Sequence, residues 1–223
     1  MRRIVLLLLV MPCLLLAGCG SGEDEAASGG ETTTTTEVSE CADVEAPEPR
    51  DAEVRDAPSE PLDSSKTYAL TFDTSCGSFT VTLDQKLAPN TVASLVALAY
   101  DGFFDNTIFH RVVPGFVIQG GDPTQTGAGG PGYSTVDKPP SDAKYTKGTV
   151  AMAKSPDEAP GTSGSQFFVV TDDAAADMLT PDYAIVGQVT DGLDTIDRIA
   201  ALGVGDGPPS KPVVISSVTV AAS

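Results

Sequence analysis

The chain has 223 residues, 41% hydrophobic and 6% aromatic, with 13 Lys and Arg against 31 Asp and Glu, a formal net charge of -18. So acidic a chain lacks the basic face that phosphate neutralisation needs, which excludes a nucleic-acid binder. No tract reaches the roughly 18 apolar residues of a spanning helix, and one histidine, His110, cannot build a multi-histidine zinc site.

The first segment reads as an export signal. Arg2 and Arg3 form a basic start, and an apolar run from Ile4 to Leu16 follows, too short for a permanent span. It ends Leu16-Ala17-Gly18-Cys19, which resembles the lipobox of bacterial lipoproteins. That resemblance implies a signal peptide over 1–18 and a diacylglyceryl group on Cys19. It therefore implies an extracytoplasmic protein that meets the cell membrane only through a lipid anchor, since two acyl chains hold stably where one is marginal.

Residues 19–65 hold 14 acidic and 2 basic residues, with the threonine run 32–36 and Pro47, Pro49, Pro58 and Pro61. Apolar side chains are too sparse here to offset ordering entropy, so the composition predicts a disordered, extended tether. From Lys66 the balance is 17 acidic to 9 basic, with regular apolar alternation, and a single domain is expected over 66–223. Cys13 leaves with the signal and Cys19 is the lipidation candidate. Cys41 and Cys76 either pair, as thiols outside the cytoplasm often do, or remain free.

The domain reads mainly as strands. Tyr68, Leu70 and Phe72, then Phe79, Val81 and Leu83, alternate with smaller residues, and the Asp73–Gly77 link makes them a hairpin. Pro89 to Ala99 is a helix, with Pro89 in its first turn and Gly102 as its stop. Extended segments are expected near 109–120, 148–153, 166–171 and 184–190. A second helix falls near 193–202, and Val213 to Val220 forms the last strand. Many antiparallel strands with few helices predict a barrel.

The chemistry centres on Arg111, one of two arginines in the domain, set in the apolar run Phe109 to Asp122. A guanidinium among core-like residues needs acceptors or a ligand. A second segment, Gly164-Ser165-Gln166-Phe167-Phe168, sets two aromatics beside a glutamine. Together, Phe109-His110-Arg111, Pro114-Gly115-Phe116, Ile118-Gln119-Gly120-Gly121-Asp122 and this second segment resemble the cyclophilin family of peptidyl-prolyl cis-trans isomerases. The likeness extends over about 66–221.

The resemblance implies a closed eight-stranded antiparallel barrel capped by two helices, with isomerisation of X-Pro bonds as its activity. Arg111 would be the catalytic group, hydrogen-bonding near the prolyl amide. Phe116, Val117 and Phe168 would line the proline pocket, with Leu179 and Tyr183 at further pocket positions. Gln119 would orient Arg111, Gln166 would sit in the groove, and Ala153-Lys154 would offer backbone groups to the peptide. His110 is the weaker candidate: a structural role, or action through its backbone, suits a reaction that moves no proton. No metal or cofactor is required. Proline-containing polypeptides are the expected partners and a monomer the expected state.

Val117 stands where relatives often carry Met, Met178 falls near a common Trp, Tyr183 near a common His, and Val186 replaces a common Phe. This less aromatic rim weighs against cyclosporin-type ligands, which the resemblance otherwise implies. A proline-peptide-binding chaperone or scaffold with weak or no turnover is the alternative function. Gly127 to Gly132 fits a dinucleotide-binding pattern literally, but Pro131 and the missing βαβ context make it a plain loop. Asp172, Asp173 and Asp177 lack the spacing of a calcium loop.

Overall fold

The computed structural model describes residues 40–52 and 54–223. The signal segment, Cys19 and the tether up to residue 39 lie outside the described residues.

β1 (Tyr68–Thr74) and β2 (Gly77–Leu83) form the expected hairpin. Phe72 and Phe79 sit opposite each other in its register and stack at 4.8 Å. α1 (Pro89–Tyr100) follows, with Val92, Leu95, Val96 and Ala99 buried. It stops as its composition predicts. Gly102 takes φ 65°, its N–H reaches the Ala99 carbonyl, and the Phe103 N–H reaches that of Leu98, the paired closure of a glycine-capped C-terminus.

The segment near 109–120 is two strands, β4 (Arg111–Val113) and β5 (Val117–Gly120), after the two-residue β3 (Thr107–Ile108). Pro114 and Gly115 fold them into a hairpin. Gly115 has φ 66°, and the Phe116 N–H donates to the Val113 carbonyl, as a Pro-Gly turn of type II requires. There follow β6 (Thr135–Val136), β7 (Thr149–Met152), β8 (Thr162–Ser163), β9 (Phe167–Val170) and β10 (Ile185–Asp191). α2 (Leu193–Ala200) and β11 (Val214–Ala222) complete the chain.

Among the described residues, nine strands make one curled antiparallel sheet in the order β3-β11-β1-β2-β10-β7-β9-β5-β4, and β6 pairs with β8 beside it. This half-barrel with two helices meets the mainly-β expectation but differs from a closed eight-stranded barrel. The edge strands β3 and β4 share no ladder. The Val112 N–H at the β4 edge instead donates to the carbonyl of Gly207, so a loop covers that edge. α1 packs against β11 and β6, and α2 against β2, β4 and β5. No helix among the described residues is long and apolar enough to cross a membrane.

Side-chain alternation divides the strands near β4 between two apolar clusters. Val112, Ile118, Val150, Met152, Phe167 and Val186 join the large core inside the curl. Their neighbours Val117, Ala151, Phe168 and Ile185 belong to a second, smaller cluster on the outer face. Phe109, grouped with Arg111 in the sequence pattern, is fully buried in the core and lies outside any strand.

The described residues of 40–65 contain no helix or strand, yet much of this stretch lies against the domain and differs from the disordered tether that its composition predicts. Cys41 is bridged to Cys76 in the β1–β2 turn, and Lys211 Nζ donates to the Cys41 carbonyl and to Asp43. Further along, the Pro47 carbonyl accepts from Gln125 Nε2, the Arg50 N–H donates to the Pro123 carbonyl, and the Arg55 N–H to that of Pro131. Arg50 and Arg55 place their guanidinium carbons 5.8 and 5.4 Å from the centroid of the Phe103 ring. Composition weighs apolar content, whereas this stretch is held by a covalent bridge, backbone hydrogen bonds and cation–π contacts.

Candidate active site

The outer face of β4, β5, β9 and β7 carries one continuous row. Arg111 faces Gln119 in the ladder, Gln119 faces Phe168, and Phe168 faces Ala151. Directly opposed side chains on one sheet face are in contact range, so four residues far apart in sequence meet without any loop. Beside this row lies a cavity of about 190 Å³, lined by Arg111, Phe116, Val117, Gln119, Ala153, Lys154, Phe168, Leu179 and Tyr183. Nine of the ten substrate-contacting candidates converge on it. The tenth, Gln166, is one step away and hydrogen-bonded to Gln119.

Arg111 is held on two sides. Its Nε donates to Asp206 Oδ1 at 2.5 Å and its Nη2 to Asp206 Oδ2 at 3.2 Å, while Nη1 donates to Gln119 Oε1 at 3.2 Å. Gln119 Nε2 passes on to Gln166 Oε1 at 3.0 Å, and Gln166 Nε2 to the carbonyl of Gly129 at 2.9 Å. A guanidinium has five N–H donors in a fixed fork. Three are engaged, which leaves two for a ligand in the cavity. The hydrogen bond and charge of Arg111 hold the Asp206 carboxyl below its ordinary 3.8.

The far end of this chain of bonds is built by Asp122. Its Oδ1 accepts from the N–H and hydroxyl of Thr124, and its Oδ2 from the N–H groups of Gly127 and Gly129. Burial works to raise this carboxyl, but those hydrogen bonds outweigh it and leave it below 3.8. The glycine-rich stretch is thus a loop wrapped around one buried carboxylate. Gly121, at φ 84°, passes so close to the next segment that a Cβ would lie 2.4 Å from the Ser165 carbonyl.

Phe168 and Tyr183 meet edge to face at 5.4 Å on the apolar side of the cavity. Tyr183 is fixed by Tyr145, whose buried hydroxyl donates to the Tyr183 carbonyl at 2.8 Å and accepts from its N–H at 3.2 Å. Burial pushes the Tyr145 hydroxyl up to about 12, so it stays a donor. Lys154 Nζ bonds to the carbonyls of Ser155 and Glu158 and lies 6.0 Å from the Tyr183 ring centroid. Met178 is exposed, and Asp172 caps the short 3₁₀ turn Asp173–Asp177.

His110 does not line the cavity. Its two ring nitrogens are buried without a hydrogen-bond partner among the described residues, and burial pulls its pKa below 6.5. Nothing in the sequence singles out Asp206 or Tyr145. Asp206 lies 95 positions from Arg111 in a loop with no distinguishing pattern, and Tyr145 stands alone between polar residues. Asp122 had a signal, as the last residue of the long apolar motif.

No group of three or more His, Cys, Asp or Glu side chains that could hold a metal occurs among the described residues. The arrangement offers a cation with two free donors beside an apolar recess. It suits a ligand with a ring or aliphatic group next to an amide.

Residues 69–220 match the family model described as cyclophilin type peptidyl-prolyl cis-trans isomerase/CLD. A probable peptidyl-prolyl cis-trans isomerase B of Mycobacterium leprae is 38% identical over 172 residues, 68% of this chain and 56% of that protein. The chain thus spans little more than half the length of this relative. A probable isomerase A of the same organism is 37% identical over 169 residues, covering 67% of this chain and 90% of the relative. Among solved structures, a Cryptosporidium parvum cyclophilin type isomerase, crystallised in the presence of the dipeptide Ala-Pro, superposes with TM-score 0.62 and 30% identity, covering 69% of this chain and 98% of its own. With the outer-face row, the cavity and these matches in hand, the chain belongs to the family of cyclophilin-type peptidyl-prolyl cis-trans isomerases.

Proposed function

We propose that this protein turns X-Pro bonds in exported polypeptides between cis and trans, working outside the cytoplasm from a lipid anchor at Cys19. The observation that carries the reading is the placement of Arg111, with two spare donors, at the mouth of an apolar recess. The related structure, determined in the presence of the dipeptide Ala-Pro, supports proline as the ligand.

Resonance gives the amide a barrier of about 18–20 kcal/mol, so uncatalysed exchange takes tens to hundreds of seconds. Reaching milliseconds requires about 10⁴- to 10⁵-fold, roughly 5.5–7 kcal/mol. A donor from Arg111 directed at the prolyl nitrogen stabilises its lone pair once twisting has broken conjugation. One such charge-assisted bond contributes about 1.5–3 kcal/mol. The remainder comes from holding the ring against Phe116, Val117 and Phe168 while the preceding carbonyl rotates, and from excluding water there. Asp206 and Gln119 keep the guanidinium aimed, so little reorganisation accompanies the twist.

The export and anchoring part rests on Arg2-Arg3, the apolar run and Cys19. The Cys41–Cys76 bridge supports it, because such bridges persist in oxidising compartments. Two measurements test the reading. Exchange spectroscopy on an X-Pro peptide, with no coupled protease, should show acceleration at micromolar enzyme; none would leave a proline-binding scaffold instead. Extraction from membranes should require detergent and lose that requirement in Cys19→Ala; unchanged partitioning would remove the anchor.

A further inference from the structure

We infer that the N-terminal arm, through Ala52 and Val54, forms one wall of the substrate groove and selects for apolar residues flanking the proline. This rests on the isomerase reading above.

A second cavity of about 570 Å³ shares Gln119, Ala153 and Lys154 with the proline recess. An extended chain advances about 3.3 Å per residue with side chains on alternating sides. A peptide whose proline fills the recess therefore sends its neighbours past Ala153 and Lys154 into this larger space. Most of its lining comes from the domain: the Gly127–Gly132 loop, Ser155, Glu158 and Gln166 among others. Ala52 and Val54 of the arm complete it.

The arm is fixed there on both sides of the wall residues. Before them, Arg50 donates its N–H to the Pro123 carbonyl and its guanidinium to the Phe103 carbonyl. After them, the Arg55 N–H donates to the Pro131 carbonyl. Gly132, at φ 84°, lets the arm close in: a Cβ there would come within 3.0 Å of the Val54 Cα. Pinned this way, Val54 still leaves 87% of its surface uncovered, at the edge of a cavity that Ala52, Ala128, Pro131 and Ala153 also line. An uncovered apolar side chain held in place beside an open space of mixed lining gains by covering an apolar side chain of the substrate. The occupant is therefore a Leu-like residue within a few positions of proline.

The test uses the full chain, exchange spectroscopy, and two peptides sharing one X-Pro core, one flanked by alanines and one by leucines. Wild type should favour the leucine-flanked peptide. Val54→Asp should cut kcat/KM for it at least about fivefold and leave the alanine-flanked peptide within about twofold, because one apolar contact discriminates substrates by roughly tenfold or more. Val54 is exposed, so the substitution spares the fold; displacement of the whole arm would depress both peptides alike. In unmutated protein, the Val54 methyl resonances should shift on adding the leucine-flanked peptide and stay put with the other. An unchanged ratio between peptides, equal loss on both, or unmoved methyl resonances would overturn the inference while leaving the isomerase intact. Failure of wild type to accelerate either peptide would remove the isomerase reading and this one with it.

Discussion

The two faces of strands β4, β5, β9 and β7 differ in what they ask of their residues. On the inner face, Val112, Ile118, Phe167 and Met152 are closed off, and Phe167 touches the rings of Phe72, Phe104 and Phe109. On the outer face, one residue along each strand, Arg111, Gln119, Phe168 and Ala151 make a row that is half polar, and the first three line a cavity. The same backbone thus holds a packing surface and a chemical surface a side chain's turn apart. The row inherits its rigidity from the core behind it, while loop groups, Asp206 and the Gly129 carbonyl, hold its polar side chains in place.

That contrast can be broken first at Phe167. Phe167→Ala should cost about 3–5 kcal/mol of stability by denaturant unfolding, with turnover per folded molecule nearly unchanged. Its outer neighbour in the comparison is Arg111. Arg111→Ala should leave the melting temperature in place and cut turnover at least tenfold, consistent with about 1.5–3 kcal/mol for one charged hydrogen bond. If Arg111→Ala melts early, or Phe167→Ala loses catalysis while folded, the two faces are not separable.

Asp122 sharpens the comparison, since it is a buried group that serves the outer face. Its carboxyl is held below 3.8 when folded, so its contribution is complete above the unfolded value and lost as pH falls through the folded one. Wild type should lose stability over that acid range. Asp122→Asn should start about 2 kcal/mol lower at neutral pH and show a shallower acid decline. A curve as steep as wild type would assign the acid loss to other carboxylates. The smallest effect belongs to Asp206, which is exposed and screened by salt. Asp206→Ala should lower turnover about two- to fivefold at low ionic strength, with the gap closing as salt rises; a salt-independent loss would mean more than an aligning ion pair.

Much of this was legible in the residues. Period-two alternation located β1 and β2, and glycine and proline marked the ends of α1. The Arg111 and Gln166–Phe168 motifs pointed to nine side chains that line one cavity. What escaped has physical causes. Two-residue strands such as β3, β6 and β8 carry no periodicity to read. Asp206 and Tyr145 act through contacts made only once distant segments meet, and nothing local distinguishes them from other loop residues. Composition also places the domain boundary at Lys66, because charge and proline content cannot register a disulfide or a guanidinium resting on Phe103.

The bridge from Cys41 to Cys76 has a practical corollary for anyone trimming the polypeptide. A fragment begun at Lys66, where the compositional change invites the cut, would carry Cys76 as an orphan thiol able to cross-link one copy to another. It would also strip the cover from the Phe103 ring. The smallest faithful version of this enzyme therefore begins ahead of Cys41, some two dozen residues earlier than its composition suggests.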